Sequence, residues 1–139
     1  MTQGYNRHMN KFKIEHIALN VSDPVAMAEW YEKYIGFNVV RKLGPPQHAH
    51  FLGDHSGAIL LEIYNNPPDS VPDYPSMDPL QLHLALVSND PDADREDLER
   101  GGATFVEEIN TPDGSRLVML RDPWGLPLQL CKRGQPMLR

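Results

Sequence analysis

Gln81-Leu82-His83-Leu84-Ala85-Leu86-Val87 decides how this chain is read, because Glu15-His16-Ile17-Ala18-Leu19-Asn20-Val21 carries the same phrase. Each has a histidine, an aliphatic residue, an alanine and a leucine in one rhythm, then runs into Asp-Pro. His83 lies 67 positions after His16, and Asp90-Pro91 lies 67 positions after Asp23-Pro24. The same step from Glu62, in Leu60-Leu61-Glu62-Ile63, lands on Gln129, in Pro127-Leu128-Gln129-Leu130. An internal repeat of this length means two supersecondary units with one plan. Each unit places one histidine and one oxygen-bearing side chain at equivalent positions.

Residues 13–22 alternate as a strand, with Ile17, Leu19 and Val21 on a face suited to packing under a helix. His16, Ala18 and Asn20 take the other face, which reads as the lining of a cleft. Asp23-Pro24 starts a helix, with Asp as N-cap and Pro at the first helical position. Met27, Trp30, Tyr31 and Tyr34 follow as one amphipathic stripe, and Gly36 closes it. Strands are expected near 37–43, 48–53 and 58–64. The stretch 65–79 holds five prolines and reads as an extended connector. After the His83 strand, Asp90-Pro91 opens a second helix that ends at Gly101-Gly102. Its apolar stripe is thin, so its caps rather than its periodicity carry the assignment. Strands near 103–109, 115–121 and 126–132 complete the repeat, with Asp122-Pro123-Trp124-Gly125 as a type I turn.

The expected fold is therefore α+β: two tandem βαβββ modules related by a pseudo-twofold axis, helices outside. Module 1 spans 13–66, a linker 67–79 and module 2 80–133, making one domain over 13–133. Tails are expected at 1–12 and 134–139.

The chain has 139 residues, 40% hydrophobic and 23% charged, enough to bury a core. A net charge of −6 without basic runs argues against nucleic acid and against an anionic membrane surface. One cysteine, Cys131, forms no internal disulfide, and no apolar N-terminal stretch marks export, so a cytoplasmic setting is expected.

Strand parity puts Glu62 with Leu60 and Tyr64, Gln129 with Pro127 and Cys131, and His83 with Gln81, Ala85 and Val87. If the halves converge, the cleft holds two imidazoles, a carboxylate and an amide oxygen: His16, His83, Glu62 and Gln129. Such donors suit a divalent Ni, Zn, Fe or Mn ion. Asn20, Tyr64 and the pair His48 and His50, which alternate on one strand, are candidate substrate contacts. Arg116 and Arg121 are the nearest cations. Cys131 reads as a packed thiol.

These features resemble the vicinal oxygen chelate superfamily, the glyoxalase, bleomycin-resistance and extradiol-dioxygenase group. The resemblance rests on the His16 strand, Asp23-Pro24 with Trp30-Tyr31 and Gly36-Phe37, the His83 strand, and Asp122-Pro123-Trp124-Gly125 with Gln129. It implies a cupped sheet around a metal and a homodimer acting on a small molecule. It also implies His16, Glu62, His83 and Gln129 as ligands, with Glu62 and Gln129 catalytic. Gln129 departs from the glutamate that many members carry. Asn66 resembles a glutathione-contacting asparagine, whereas Asn20 stands where such glyoxalases carry arginine. The expected activity is lyase- or isomerase-type chemistry through a metal-bound enediolate. An Fe(II) extradiol-type dioxygenase and a metal-free ligand-sequestering protein remain open alternatives.

Overall fold

A computed structural model describes residues 11–138. Residues 1–10 of the expected 1–12 tail, and Arg139 of the expected 134–139 tail, lie outside the described residues. The chain divides into two compact units, one ending at Val71 and the other beginning at Pro72.

The first unit runs β1 (His16–Asn20), α1 (Pro24–Trp30), β2 (Asn38–Lys42), β3 (His50–Gly53) and β4 (Leu60–Tyr64), with a π-helical turn, Tyr31–Ile35, prolonging α1. Its sheet order is β1-β4-β3-β2, with β1 parallel to β4 and the other pairs antiparallel. The second unit runs β5 (Leu84–Val87), α2 (Pro91–Arg100), β6 (Thr104–Asn110), β7 (Arg116–Arg121) and β8 (Pro127–Lys132). Its order, β5-β8-β7-β6, with β5 parallel to β8, is the same plan. Two βαβββ modules are thus present.

The repeat extends to the register. Ala18 pairs with Glu62 across β1 and β4, and Ala85 pairs with Gln129 across β5 and β8. A β-bulge interrupts β2 between Val39 and Arg41, and another interrupts β6 between Phe105 and Glu107. Both helices start as the sequence dictates. Asp23 Oδ1 accepts from Ala26 N at 3.1 Å and Asp90 Oδ1 from Ala93 N at 3.2 Å. Since α2 buries only Pro91 and Leu98 against the sheet, its cap carries an unusual share of its stability. Asp90→Ala is expected to lose about 0.5–2 kcal/mol in a denaturant titration. A midpoint unchanged by that substitution would contradict it.

In each unit the helix covers one sheet face. Met27, Tyr31, Leu52 and Ile63 form the core under α1, and Leu98, Val118, Leu120 and Leu128 that under α2. Burying such side chains contributes about 1.5–3 kcal/mol each before entropy is counted. Three expectations need correction. Ile17 does not pack under the helix; it is 54% exposed. The cause is position: β1 is the edge strand, while α1 lies on β3 and β4. His83 and Gln81 precede β5 rather than sitting in it, because Gln81 N donates to Asp78 O at 2.9 Å and closes a turn. The proline-rich connector is not extended throughout. Tyr74–Ser76 forms a 3-10 turn and Tyr74 is buried. No helix of the described residues is long and apolar enough to cross a membrane.

Candidate functional site

On the first unit's helix-free face, β1 and β4 run side by side. Glu62 stands beside Ala18, so His16, two residues earlier on the same face, reaches across to it. His16 Nε2 lies 3.4 Å from Glu62 Oε1, and His16 Nδ1 lies 2.8 Å from Glu15 Oε1. An ionised carboxylate only accepts, so Nδ1 bears the proton toward Glu15. In the neutral ring, Nε2 then presents a lone pair to an oxygen that also holds lone pairs. Two electron-rich atoms so placed need a proton or a cation between them. Phe51, paired with Glu62 on β3, meets the His16 ring edge-on at 5.6 Å between centroids and shields that side.

Asn20 and Asn66 are brought together, though chiefly to fix the backbone. Asn20 Oδ1 accepts from Asn66 N at 2.9 Å, and its Nδ2 donates to Pro67 O at 2.9 Å. Tyr64 pairs with Asn20 and shares the Glu62 face. His48 and His50 do not join this group. His50 pairs with Ile63, whose side chain lies under α1, so His50 takes the face opposite Glu62. His48 lies outside the strand, in the loop before it. Alternation along one strand is visible in sequence; which face it matches on the neighbouring strand is set by cross-strand register.

In the second unit, His83 Nδ1 donates to Pro79 O at 2.7 Å, which leaves Nε2 as its acceptor or ligand atom. A backbone carbonyl or carboxylate on the far nitrogen is how metal-binding imidazoles are commonly oriented. Gln129 and Cys131 share a face as parity predicts: the thiol donates to Gln129 Oε1 at 3.3 Å. Burial pushes the Cys131 thiol up, which keeps it protonated and unreactive near neutrality. Among the described residues, no group of three or more His, Cys, Asp or Glu side chains is close enough to hold a metal ion. Within each unit the donor chemistry suits a metal: an oriented imidazole with a carboxylate in the first, and an oriented imidazole and an amide oxygen in the second.

The two arginines nearest the candidate cleft in sequence are already engaged. Arg116 Nη2 pairs with Asp92 at 2.6 Å and Glu108 at 2.7 Å, which raises its pKa above the ordinary value. Arg121 donates to the carbonyls of Tyr74, Gly125 and Met77 at 2.9, 3.2 and 2.7 Å. Sequence reasoning missed this clamp because backbone acceptors leave no residue-type signature.

Two βαβββ modules of one plan, each with a histidine and a carboxylate or amide at matched positions, define the class of protein. Within that class, the chain belongs to the Glyoxalase/Bleomycin resistance protein/Dioxygenase superfamily, whose family model matches residues 13–130. Among solved structures, SMU.1112c is 31% identical, with 87% of this chain and 98% of that one covered and a TM-score of 0.67. A glyoxalase family protein from Enterococcus faecalis is 28% identical, with 86% and 97% covered and a TM-score of 0.67. TnmS3, an antibiotic binding protein from Streptomyces sp. CB03234, shares the fold at 23% identity, with 91% and 99% covered and a TM-score of 0.71. No curated protein matches the chain.

Proposed function

We propose that this chain is a divalent-metal-dependent enzyme of the glyoxalase-like kind, performing lyase- or isomerase-type proton transfer on a small oxygenated substrate. One observation carries the reading: His16 Nε2 faces Glu62 Oε1 at 3.4 Å while its Nδ1 is held by Glu15, an arrangement that calls for a cation or proton. His16, Glu62 and His83 would hold the ion, with Gln129 as a neutral fourth ligand. A bound divalent ion supplies Lewis acidity to adjacent substrate oxygens. Glu62 would move a proton at the carboxylate oxygen that the ion leaves free, and its side chain is only 18% exposed, so competing water is limited. Gln129 would orient the substrate through its amide. Asn20 and Tyr64 border the same face, and Phe51 would exclude water beside His16. Because Arg116 and Arg121 are occupied, the reading favours a substrate without the paired carboxylates of glutathione. We place the protein in the cytoplasm as a homodimer, a setting in which its one, buried cysteine stays reduced.

Metal content by mass spectrometry on tag-free protein tests this, beside Glu62→Ala. Near-stoichiometric Ni, Zn, Fe or Mn is expected in the parent. Losing Glu62 should weaken binding by more than the roughly 10–100-fold that outer-sphere changes produce. Ni or Zn would direct the work to isomerase assays. Iron would direct it to oxygen uptake, since two histidines and a carboxylate also suit a dioxygenase. If neither protein holds metal after incubation with excess of these ions, the enzyme reading fails. A ligand-sequestering protein would then take its place, a reading favoured by the lack of a three-donor group among the described residues.

A further inference from the structure

His50 is buried, at 6% exposure, on a face otherwise built from Leu52, Leu61 and Ile63. Its Nδ1 donates to His48 O at 2.6 Å, so in the neutral ring Nε2 carries a lone pair. No protein group partners Nε2 among the described residues, and His50 lines an open groove of about 490 Å³ between α1 and β2. The ring is buried, yet Nε2 keeps access to the groove and so offers an acceptor to whatever enters it.

The second unit shows that the fold does not need this histidine. Val118 pairs with Leu130 and Glu108 just as His50 pairs with Ile63 and Lys42. Val118 is fully buried. The helix–strand seam is also filled there. Arg95, 67 positions after Ala28, lays its guanidinium 3.6 Å from the Phe105 ring centroid. Its Nε pairs with Glu99 at 3.1 Å and its Nη1 approaches Glu108 at 3.8 Å. In the first unit Ala28 replaces Arg95 and Val39 takes the register of Phe105, which opens the seam. Glu32, the counterpart of Glu99, thereby lacks its cation. Glu29 on α1, Glu32 on the π-helical turn that follows it, and Arg41 and Lys42 on β2 line the groove, and none of the four is ion-paired among the described residues. The β2 bulge helps, because it turns Lys42 onto the face that holds His50.

We propose that this groove binds a small zwitterion with a guanidinium or ammonium group at one end and a carboxylate at the other. The cationic group would take the space that the Arg95 guanidinium fills in the second unit, pairing with Glu32 and Glu29. Its N–H donates to His50 Nε2. The carboxylate meets Lys42, which pairs with His50, whereas Arg41 pairs with Phe51 on the other face and lines the groove at its rim. This site lies on the opposite sheet face from His16 and Glu62 and does not depend on the metal reading.

Titrating the tag-free protein with L-arginine, followed by NMR of the His50 imidazole, tests the assignment. A saturable shift is expected. Agmatine, which lacks the carboxylate, should bind about tenfold more weakly. Glu32→Gln should weaken L-arginine by a similar factor, and His50→Val should do so as read from backbone amides of α1 and β2. Because Val118 occupies the equivalent place, His50→Val should melt no lower than the parent. No saturable shift up to about 10 mM would overturn the site. Unchanged affinity in His50→Val or Glu32→Gln would do the same, and agmatine binding as well as L-arginine would overturn the zwitterion.

Discussion

Gly125→Ala is expected to destabilise the protein by about 2–6 kcal/mol, combining backbone strain with overpacking. Gly125 sits at φ +92, in the left-handed region that residues with a Cβ rarely adopt. An added Cβ would also lie 2.5–2.7 Å from Cγ, N and Cα of Pro75, and two of these atoms are backbone of the Tyr74–Ser76 turn. A flexible side chain could swing aside; a proline main chain cannot. The surrounding turn is rigid as well. The buried Asp122 accepts from Trp124 N and Leu126 N at 2.9 Å through Oδ1, and Gly125 N donates to Asp122 O at 2.9 Å. Gly114→Ala is the control, with φ +86 but nothing within 4 Å of the new Cβ. Denaturant titration should show Gly125→Ala losing clearly more than Gly114→Ala. Equal losses would mean that the approach to Pro75 has no energetic weight. The effect bears on function, because this turn leads directly into β8 and so sets the register that carries Gln129.

Arg121→Met should cost about 3–5 kcal/mol, since charge-assisted hydrogen bonds contribute about 1.5–3 kcal/mol each and do not add fully. The guanidinium serves three carbonyls, two of them in the 74–77 segment that precedes the Pro79–His83 contact. Removing it leaves carbonyl groups without a donor and loosens the chain leading to His83. Hydrogen exchange should show lost protection at Ser76 and Met77, whose amides donate within this turn. The His83 ring resonances should shift too. Arg121→Lys is expected to recover only part of the stability, because one ammonium cannot reproduce the planar fork. Full recovery with lysine, or unchanged protection in the methionine variant, would show that the clamp is incidental.

Much of the architecture was legible because repetition and capping are local properties. The Asp23-Pro24 and Asp90-Pro91 starts, the strand parities of β4 and β8, and the equivalence of Glu62 with Gln129 all follow from residue spacing. A thin-striped helix such as α2 could be placed from its cap, since an aspartate oxygen aimed at a free N–H acts within one turn. Strand parity puts His16 and Glu62 on cleft-side faces, and they meet because β1 lies beside β4.

What stayed hidden depends on contacts between distant segments. Ile17 has the alternation of a core residue, yet edge position leaves it exposed. His48-Ala49-His50 alternates as a strand should, but only the pairing of His50 with Ile63 shows that this imidazole turns away from Glu62. Arg121 reads as a cation available to substrate, and only the folded chain delivers three carbonyls to it. By itself the sequence determined two βαβββ modules, their caps and the residues at matched positions, because those features depend on periodicity and short-range hydrogen bonds. The tertiary structure decided which face each side chain serves, which charges are already spent and where a seam stays open. Those outcomes depend on strand register and on which side chain, Ala28 or Arg95, fills the space beside a helix.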